Sequence, residues 1–274
     1  MNTGDKEVVA RASKAEAIFV SDVHLSAAHP STAAAFVDFL AREVAGRSSR
    51  LFILGDLFEY WAGDDDLDAP FNRRIVDSLR ALADDGIELA FMAGNRDFLI
   101  GDQFAKTARI AFLPDPYRLE IGGLSLMLSH GDVLCTDDID YQRFRTMVRE
   151  PAWQEAFLAR PLAERRAIIG DMRTKSETAK RDKTSDIMDV NADAVARLFA
   201  DHGQTRLIHG HTHRPAHHVL DVGSAQCERW VLPDWDAEAQ PPRGGALILE
   251  NGEVRALDIM GAPQPNKRVS VRPS

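Results

Sequence analysis

The stretch RLFILGDLFEYWAGDDD, residues 50–66, decides the fold. Its apolar run Leu51–Leu54 ends at Gly55-Asp56, the pattern of a short buried strand that delivers a polar residue at its C-terminal tip. The pattern recurs in AIFVSDVH (17–24), ELAFMAGNRD (88–97), LSLMLSHGD (124–132) and RLIHGHTH (206–213). One Asp or His at a strand end is ordinarily a cap or a turn residue. Five blocks in fixed order, each after a strand, bring together Asp22, His24, Asp56, Asn95, His130, His211 and His213 and specify a two-metal site. Oxygen and nitrogen donors without cysteine favour a divalent ion such as Mn²⁺, Fe²⁺ or Zn²⁺ over a thiolate site.

Working outward, strands alternate with helices, which makes the chain an α/β protein. Helices are expected at about 31–45, with Phe36, Val37, Leu40 and Val44 on one face, at 70–84, with Phe71, Ile75, Leu79 and Leu82, and at 101–108. Strands at 117–121 and 124–129 flank the hairpin signal Gly122-Gly123. Residues 137–200 lose strand character: Tyr141, Phe144 and Val148 repeat at helical spacing, as do Trp153 and Phe157, then Ile168, Ile169 and Met172. A further helix is expected at 190–201. Strands at 206–210, 216–222, 227–232, 245–250 and 254–259 suggest a second, largely antiparallel sheet. The reading is a single domain over 17–260, a helical insertion at 137–200 and flexible tails at 1–16 and 261–274.

The chain has 274 residues, 45% hydrophobic and 27% charged, ordinary for a soluble globular domain. No apolar run reaches a membrane span, the start is no signal peptide, and Cys135 and Cys227 suggest no disulfide framework. These features imply a cytoplasmic location. Cys135, five residues after His130, is read as a small buried residue. A net charge of −9 disfavours nucleic acid as a partner. Residues 141–183, however, hold 11 Arg or Lys against 6 Asp or Glu. An acidic body with one basic segment suggests a local anionic partner.

Hydrolysis of a phosphate ester or anhydride needs a nucleophilic oxygen at neutral pH and compensation for phosphoryl charge, which a metal pair supplies. Asp56 is the natural bridging carboxylate. Asp22 and His24, at i and i+2 on an extended segment, point to one side, and His211 and His213 can serve different ions. Asn95 and His130 keep the site's charge low enough to accept an anion. Arg96 follows Asn95; an arginine binds phosphate in a fork but donates no proton near pH 7.

The order DxH, GD, GNxD, HGD, GHTH resembles the motif set of the calcineurin-like metallophosphoesterases. The resemblance implies a four-layer αββα sandwich with Asp22, His24, Asp56 and His213 on one metal, and Asp56, Asn95, His130 and His211 on the other. His209 has no place in that set and is read as a supporting histidine; His217 and His218 are read as strand or surface residues. The general pattern has His after the motif Asn to assist the leaving group; Arg96 departs from it, and against that pattern it points to a good leaving group, a pyrophosphate bond rather than an alkyl monoester. GDLFEYWAGDDD, GNRDFLIG, SHGDVLCTDDIDYQRFR, IMDVN and LIHGHTHRPAHH further resemble the UDP-2,3-diacylglucosamine diphosphatases of the Gram-negative lipid A pathway. That family implies Mn²⁺ and attack of a metal-activated hydroxide on the UMP phosphorus, giving UMP and 2,3-diacylglucosamine 1-phosphate (lipid X). It also implies a helical cap that binds acyl chains, peripheral attachment to the cytoplasmic face of the inner membrane, and no obligate protein partner. By position Asn95, Arg96, Asp138, Ser176, Lys180, Lys183 and His211 would contact substrate; Lys180 departs from the small polar residue usual there. Trp153, Phe157, Ile168, Ile169 and Met172 would form apolar wall, with Arg173 near phosphate. Arg160, Arg165 and Arg166 are expected to face anionic lipid. The rival reading is a soluble nucleotide or dinucleotide pyrophosphatase, which needs no apolar cap.

Overall fold

A computed structural model describes residues 14–182, 189–260 and 268–271, the stretches 175–182 and 268–271 as backbone alone. Strand β1 (Ala17–Val20) is buried along its whole length, as a run without alternation requires. It pairs in parallel with β2 (Arg50–Leu54), which continues in parallel to β3 (Glu88–Met92) and β4 (Ile110–Leu113). On its other side β1 pairs antiparallel with β10 (Gly245–Glu250), itself antiparallel to β11 (Glu253–Asp258). The second sheet comprises β5 (Tyr117–Ile121), β6 (Leu124–Ser129), β7 (Arg206–His209), β8 (Ala216–Val222), β9 (Ala225–Val231) and β12 (Arg268–Val271). Its order is β12-β8-β9-β7-β6-β5.

The sequence reading assigned the C-terminal strands to one largely antiparallel sheet, and this is corrected. The β10–β11 hairpin completes the first sheet, and β6, β7 and β9 run in parallel within the second. Residue patterning reports that a strand is buried, not which neighbour it pairs with. β4 and β12 were not anticipated, and β12 lies within the expected flexible tail 261–274. It lines up in parallel on β8, which would otherwise expose its edge groups. Residues 1–13, 261–267 and 272–274 of the expected tails lie outside the described residues.

Alternation along the strands builds the layers. Phe19, Phe52, Leu54 and Met92 of the first sheet meet Leu126, Leu128, Ile208 and Trp230 of the second, and form the core between sheets. Ile18, Val20, Ile53 and Phe91 point the opposite way, onto α1 (Pro30–Phe39), α3 (Pro70–Asp84) and α4 (Asp102–Ala108). α1 runs on through a π turn at Leu40–Val44 into the short α2 (Ala45–Arg47). Beyond the second sheet, Met127, Leu207 and Cys227 pack on Ala194, Val195 and Phe199 of α8 (Ala192–His202). The result is the four-layer αββα sandwich.

Helices α5 (Ile139–Arg149), α6 (Pro151–Leu158) and α7 (Leu162–Asp182) stand apart from these layers. Trp153, Ile168 and Ile169 pack against the core of the first sheet's helical side, and Phe157 is buried within it. The expected insertion 137–200 thus divides: α5–α7 form a cap, whereas α8 is the fourth layer of the body. Asn191 caps α8 by accepting from Ala194 N at 3.0 Å, and left-handed Gly203 (φ 59°) closes it.

Candidate metal centre and apolar cavity

Every motif residue leaves the end of a strand into a loop, and the backbone there is unusual. Seven described non-glycine residues have φ between 52° and 68°, and five of them are Asp22, His24, Asp56, His211 and His213. A left-handed conformation costs an L-residue about 1–2 kcal/mol, so five at one place mark a geometry imposed by the surroundings. Asp22 and His24 therefore do not share an extended segment, as the i, i+2 argument supposed. The turn after each, not strand alternation, aims them inward.

What holds these loops is a buried carboxylate. Asp97 accepts from the N–H groups of Gly94 (2.9 Å), Leu57 (2.7 Å), Asp56 (3.3 Å) and Phe58 (3.3 Å). Burial and the neighbouring Asp56 push the Asp97 carboxyl up to about 7, against the pull of those N–H donors. The loops also touch: a Cβ on Gly94 would run into Asp56 Oδ1, and one on Gly210 into Asp22 Oδ2, so both positions require glycine.

Two groups of donor atoms result, Asp22–His24–His213 and Asp22–Asp56–His130, each within 4.8 Å. His24 Nε2 and His213 Nε2 lie 3.3 Å apart, and His213 Nε2 is 3.4 Å from Asp22 Oδ1. That Asp22 oxygen is buried without a hydrogen-bond partner, while Oδ2 accepts from Ser21 Oγ (2.6 Å) and His211 N (2.8 Å). His130 Nδ1 meets the Leu54 carbonyl at 2.8 Å, which turns Nε2 towards Asn95 Oδ1 (3.0 Å) and Asp56 Oδ1 (3.7 Å). Asn95 Oδ1 also lies 2.9 Å from His211 Nδ1. Lone pairs converging on one another, with an orphaned buried carboxylate oxygen among them, fit a divalent cation. All seven sequence candidates come together, and His211 and His213 divide between the two sides. Burial opposes a charge on His130, but Asp56, Asp132 and Asp22 outweigh it and lift the imidazole to about 9. Burial and the His130 charge instead lower His211 to about 4.

His209 faces away from the cluster. It is fully buried, its Nε2 2.9 Å from Arg229 Nη1, and burial with that cation keeps it well below the usual histidine range. Cys135 is buried, its thiol pushed up to about 12 by burial and nearby carboxylates. His217 stacks on Trp230 at 4.3 Å, within the sheet.

Beside the cluster opens a cavity of about 510 Å³, lined by Asn95, Arg96, Glu59 and Tyr141 on the cluster side. Its wall is Phe98, Leu99, Phe144, Met147, Trp153, Phe157, Ile169 and Met172, with Arg173 at the rim. Trp153 and Phe157 stack face to face at 4.9 Å. Ile168, expected with them, packs on the body core instead. Asp138 caps α5, accepting from Tyr141 N at 3.2 Å. The side chains of Ser176 and Lys180, and the whole of Lys183, lie outside the described residues.

Arginines dock the cap onto the body. Buried Arg165 bonds to the Ala62 carbonyl and Asp65, and Arg166 to Asp66. Arg145 reaches buried Asp132 at 2.8 Å, where Tyr141 Oη also donates at 2.7 Å. Arg149 Nη2 donates to the Gly94 carbonyl at 2.8 Å. The expectation that Arg165 and Arg166 face lipid is therefore corrected. Composition registers their charge but not the acidic run Asp64–Asp66 that takes it up. Arg160 is half-exposed and paired with Glu164.

Two residues escaped the sequence reading. Glu59 lies 3.2 Å from His24 Nδ1, off the hydrogen-bonding line, and pairs with Arg96 (3.4 Å) and Arg173. Burial alone would raise its carboxyl, yet His24, Arg96 and Arg173 hold it down at about 2. Asp234 sits 3.7 Å behind His213 Nδ1. The available signal was a carboxylate three residues past Asp56, in the string GDLFE.

Residues 17–215 match the family model described as calcineurin-like phosphoesterase, a class of metal-dependent hydrolases. A UDP-2,3-diacylglucosamine hydrolase of Aromatoleum aromaticum is 56% identical over 226 residues, covering 81% of this chain and 90% of that protein. Proteins of the same name from Chromobacterium violaceum (48%, covering 88% and 98%) and Escherichia coli (45%, covering 81% and 91%) are also similar. The chain belongs to the UDP-2,3-diacylglucosamine hydrolase family within the calcineurin-like phosphoesterases.

Proposed function

We propose that this chain hydrolyses the pyrophosphate bond of UDP-2,3-diacylglucosamine to UMP and 2,3-diacylglucosamine 1-phosphate, in lipid A biosynthesis. The observation that carries the reading is the junction of two chemistries: a polar cluster of metal-ligand type opens directly into an apolar cavity through Asn95, Arg96 and Tyr141. A soluble nucleotide pyrophosphatase would need the first but not the second. The volume falls in the ~300–1,000 Å³ range of small-molecule sites.

Asp22, His24, Asp56, Asn95, His130, His211 and His213 would hold two divalent ions, with Mn²⁺ our choice. Bound there, the ions would polarise the phosphoryl oxygens and supply a nucleophilic oxygen at neutral pH. The chain's own residues do the rest. His130 and His24 keep Nε2 turned inward because their Nδ1 atoms face Leu54 O and Glu59. Arg96, whose N–H is fixed on Asp56 Oδ1 at 2.8 Å, stands at the cavity mouth to bind a phosphate oxygen. It supplies no proton, and a departing phosphate monoester needs none. Trp153, Phe157 and Met172 would exclude water and take acyl carbon, while Asp138, Ser176, Lys180 and Lys183 would contact the head group.

No helix among the described residues is long and apolar enough to cross a membrane. Ile139, Met147 and Leu158 are exposed on the cap, which supports peripheral contact with the inner membrane's cytoplasmic face. The test is to incubate the pure protein and Mn²⁺ with UDP-2,3-diacylglucosamine, UDP-glucose and a dinucleotide polyphosphate. UMP release confined to the acylated substrate is the expected result; comparable release from the other two would favour the soluble pyrophosphatase.

A further inference from the structure

The position of Glu59 is set by the backbone of its own loop. Its loop is stitched to that of His24: His24 N donates to Asp56 O at 3.0 Å, Leu25 N to Leu57 O at 2.9 Å, and Glu59 N to Leu25 O at 3.0 Å. Asp97 holds Leu57 and Phe58 from the other side. The carboxylate is thereby fixed under the His24 ring, with only 12% of its side chain exposed. Its two oxygens then serve different neighbours. Oε2 faces His24 Nδ1, opposite the Nε2 that points into the cluster, and Oε1 takes Arg96 from the body and Arg173 from the cap helix α7.

The other inward-facing histidines are backed separately, His130 by the Leu54 carbonyl and His213 by Asp234. Glu59 alone among these backing groups also receives a cap cation in the contacts described above. We infer that Glu59 is a shared positioning residue: one carboxylate orients His24 for a metal ion and anchors α7 over the cavity mouth, so that metal retention and cap docking depend on the same side chain. This rests on the metal-site reading above, but not on the identity of the substrate.

The experiment is a pair of readouts on full-length protein carrying Glu59→Gln, with Glu59→Asp as the variant that keeps the charge. Mn²⁺ affinity is measured by calorimetry, and amide hydrogen exchange is followed by mass spectrometry across residues 162–174. Loss of a carboxylate behind a ligating histidine weakens metal binding by roughly 10–100-fold. Glu59→Gln should show that loss together with faster exchange in α7, and Glu59→Asp should fall between it and wild type in both. Unchanged Mn²⁺ affinity in Glu59→Gln would make Glu59 a cap clamp only. Weakened affinity with unaltered exchange would make it an ordinary backing group. Either result overturns the shared role. Wild-type protein that binds Mn²⁺ but releases no UMP from the acylated substrate would sink the proposed function and leave this assignment standing.

Discussion

The metal-type cluster and the cap are built on opposite principles. The cluster is assembled from the ends of buried strands, with five left-handed residues held by backbone hydrogen bonds and a buried Asp97. The cap is held by apolar packing of Trp153, Phe157, Ile168 and Ile169 on the body and by long side chains around it: Arg145, Arg149, Arg165, Arg166 and Arg173 each cross to a carboxylate or carbonyl of the body or its loops. Backbone assembly gives rigidity to the part that must place atoms closely. The cap supplies cavity wall and none of the seven cluster residues. Substitutions in the two regions should therefore fail differently, in turnover for one and in affinity or stability for the other.

The largest effect belongs to the cluster. Asp56→Ala should lower turnover by at least ~10³-fold, because it removes the carboxylate proposed to bridge both ions. His209→Ala, whose ring faces Arg229 rather than the cluster, should keep more than a tenth of the wild-type rate. Steady-state kinetics on both variants decide this, and equal losses would show that the histidines are misassigned.

Next comes metal affinity against pH. Carboxylates hold His130 up to about 9, so that ring carries a proton at neutral pH, and they shift His24 in the same direction. The His130 proton must leave before its ring can donate to an ion, and Mn²⁺ binding therefore tightens as pH rises from 6 to 9. Calorimetry in buffers of different ionisation enthalpy should detect about one proton released from His130 at pH 7. A pH-independent affinity would contradict the arrangement.

The cap's anchors give the third contrast. Arg165→Ala removes a buried side chain and leaves the Ala62 carbonyl without its donor, while the exposed Asp65 is resolvated, which should cost about 1–3 kcal/mol in thermal or denaturant unfolding. Arg160→Ala, on a half-exposed helical pair with Glu164, should stay within about 0.5 kcal/mol. Similar losses for the two would mean that the cap is not docked through Arg165.

How much was legible in the sequence follows the same division. The cluster could be read because each ligand sits within a few residues of a strand whose apolar run is itself visible. Left-handed backbone at Asp22 and His24 could not be, since it is imposed by loops that meet only in three dimensions. β10 reads as a buried strand, but nothing in GALILE says that it pairs with β1. The cap's helices were visible from Tyr141, Phe144 and Val148, whereas its docking was not. Arg165 and Asp65 are a hundred positions apart, and a local charge balance counted the first without the second. Glu59 was in view inside GDLFE but had no partner until His24, Arg96 and Arg173 converged on it.

We propose that the cluster performs the hydrolysis and that the cap's cavity selects the acylated substrate. This is tested most directly by kcat/KM for UDP-2,3-diacylglucosamine and for a short water-soluble pyrophosphate, in wild type and in Trp153→Ser/Phe157→Ser. These stacked rings line the cavity without belonging to the cluster. The account predicts that KM for the acylated substrate rises at least ~10-fold through lost apolar burial, while the short substrate changes less than about threefold. Equal losses on both substrates would contradict it, reducing the cap to structural support.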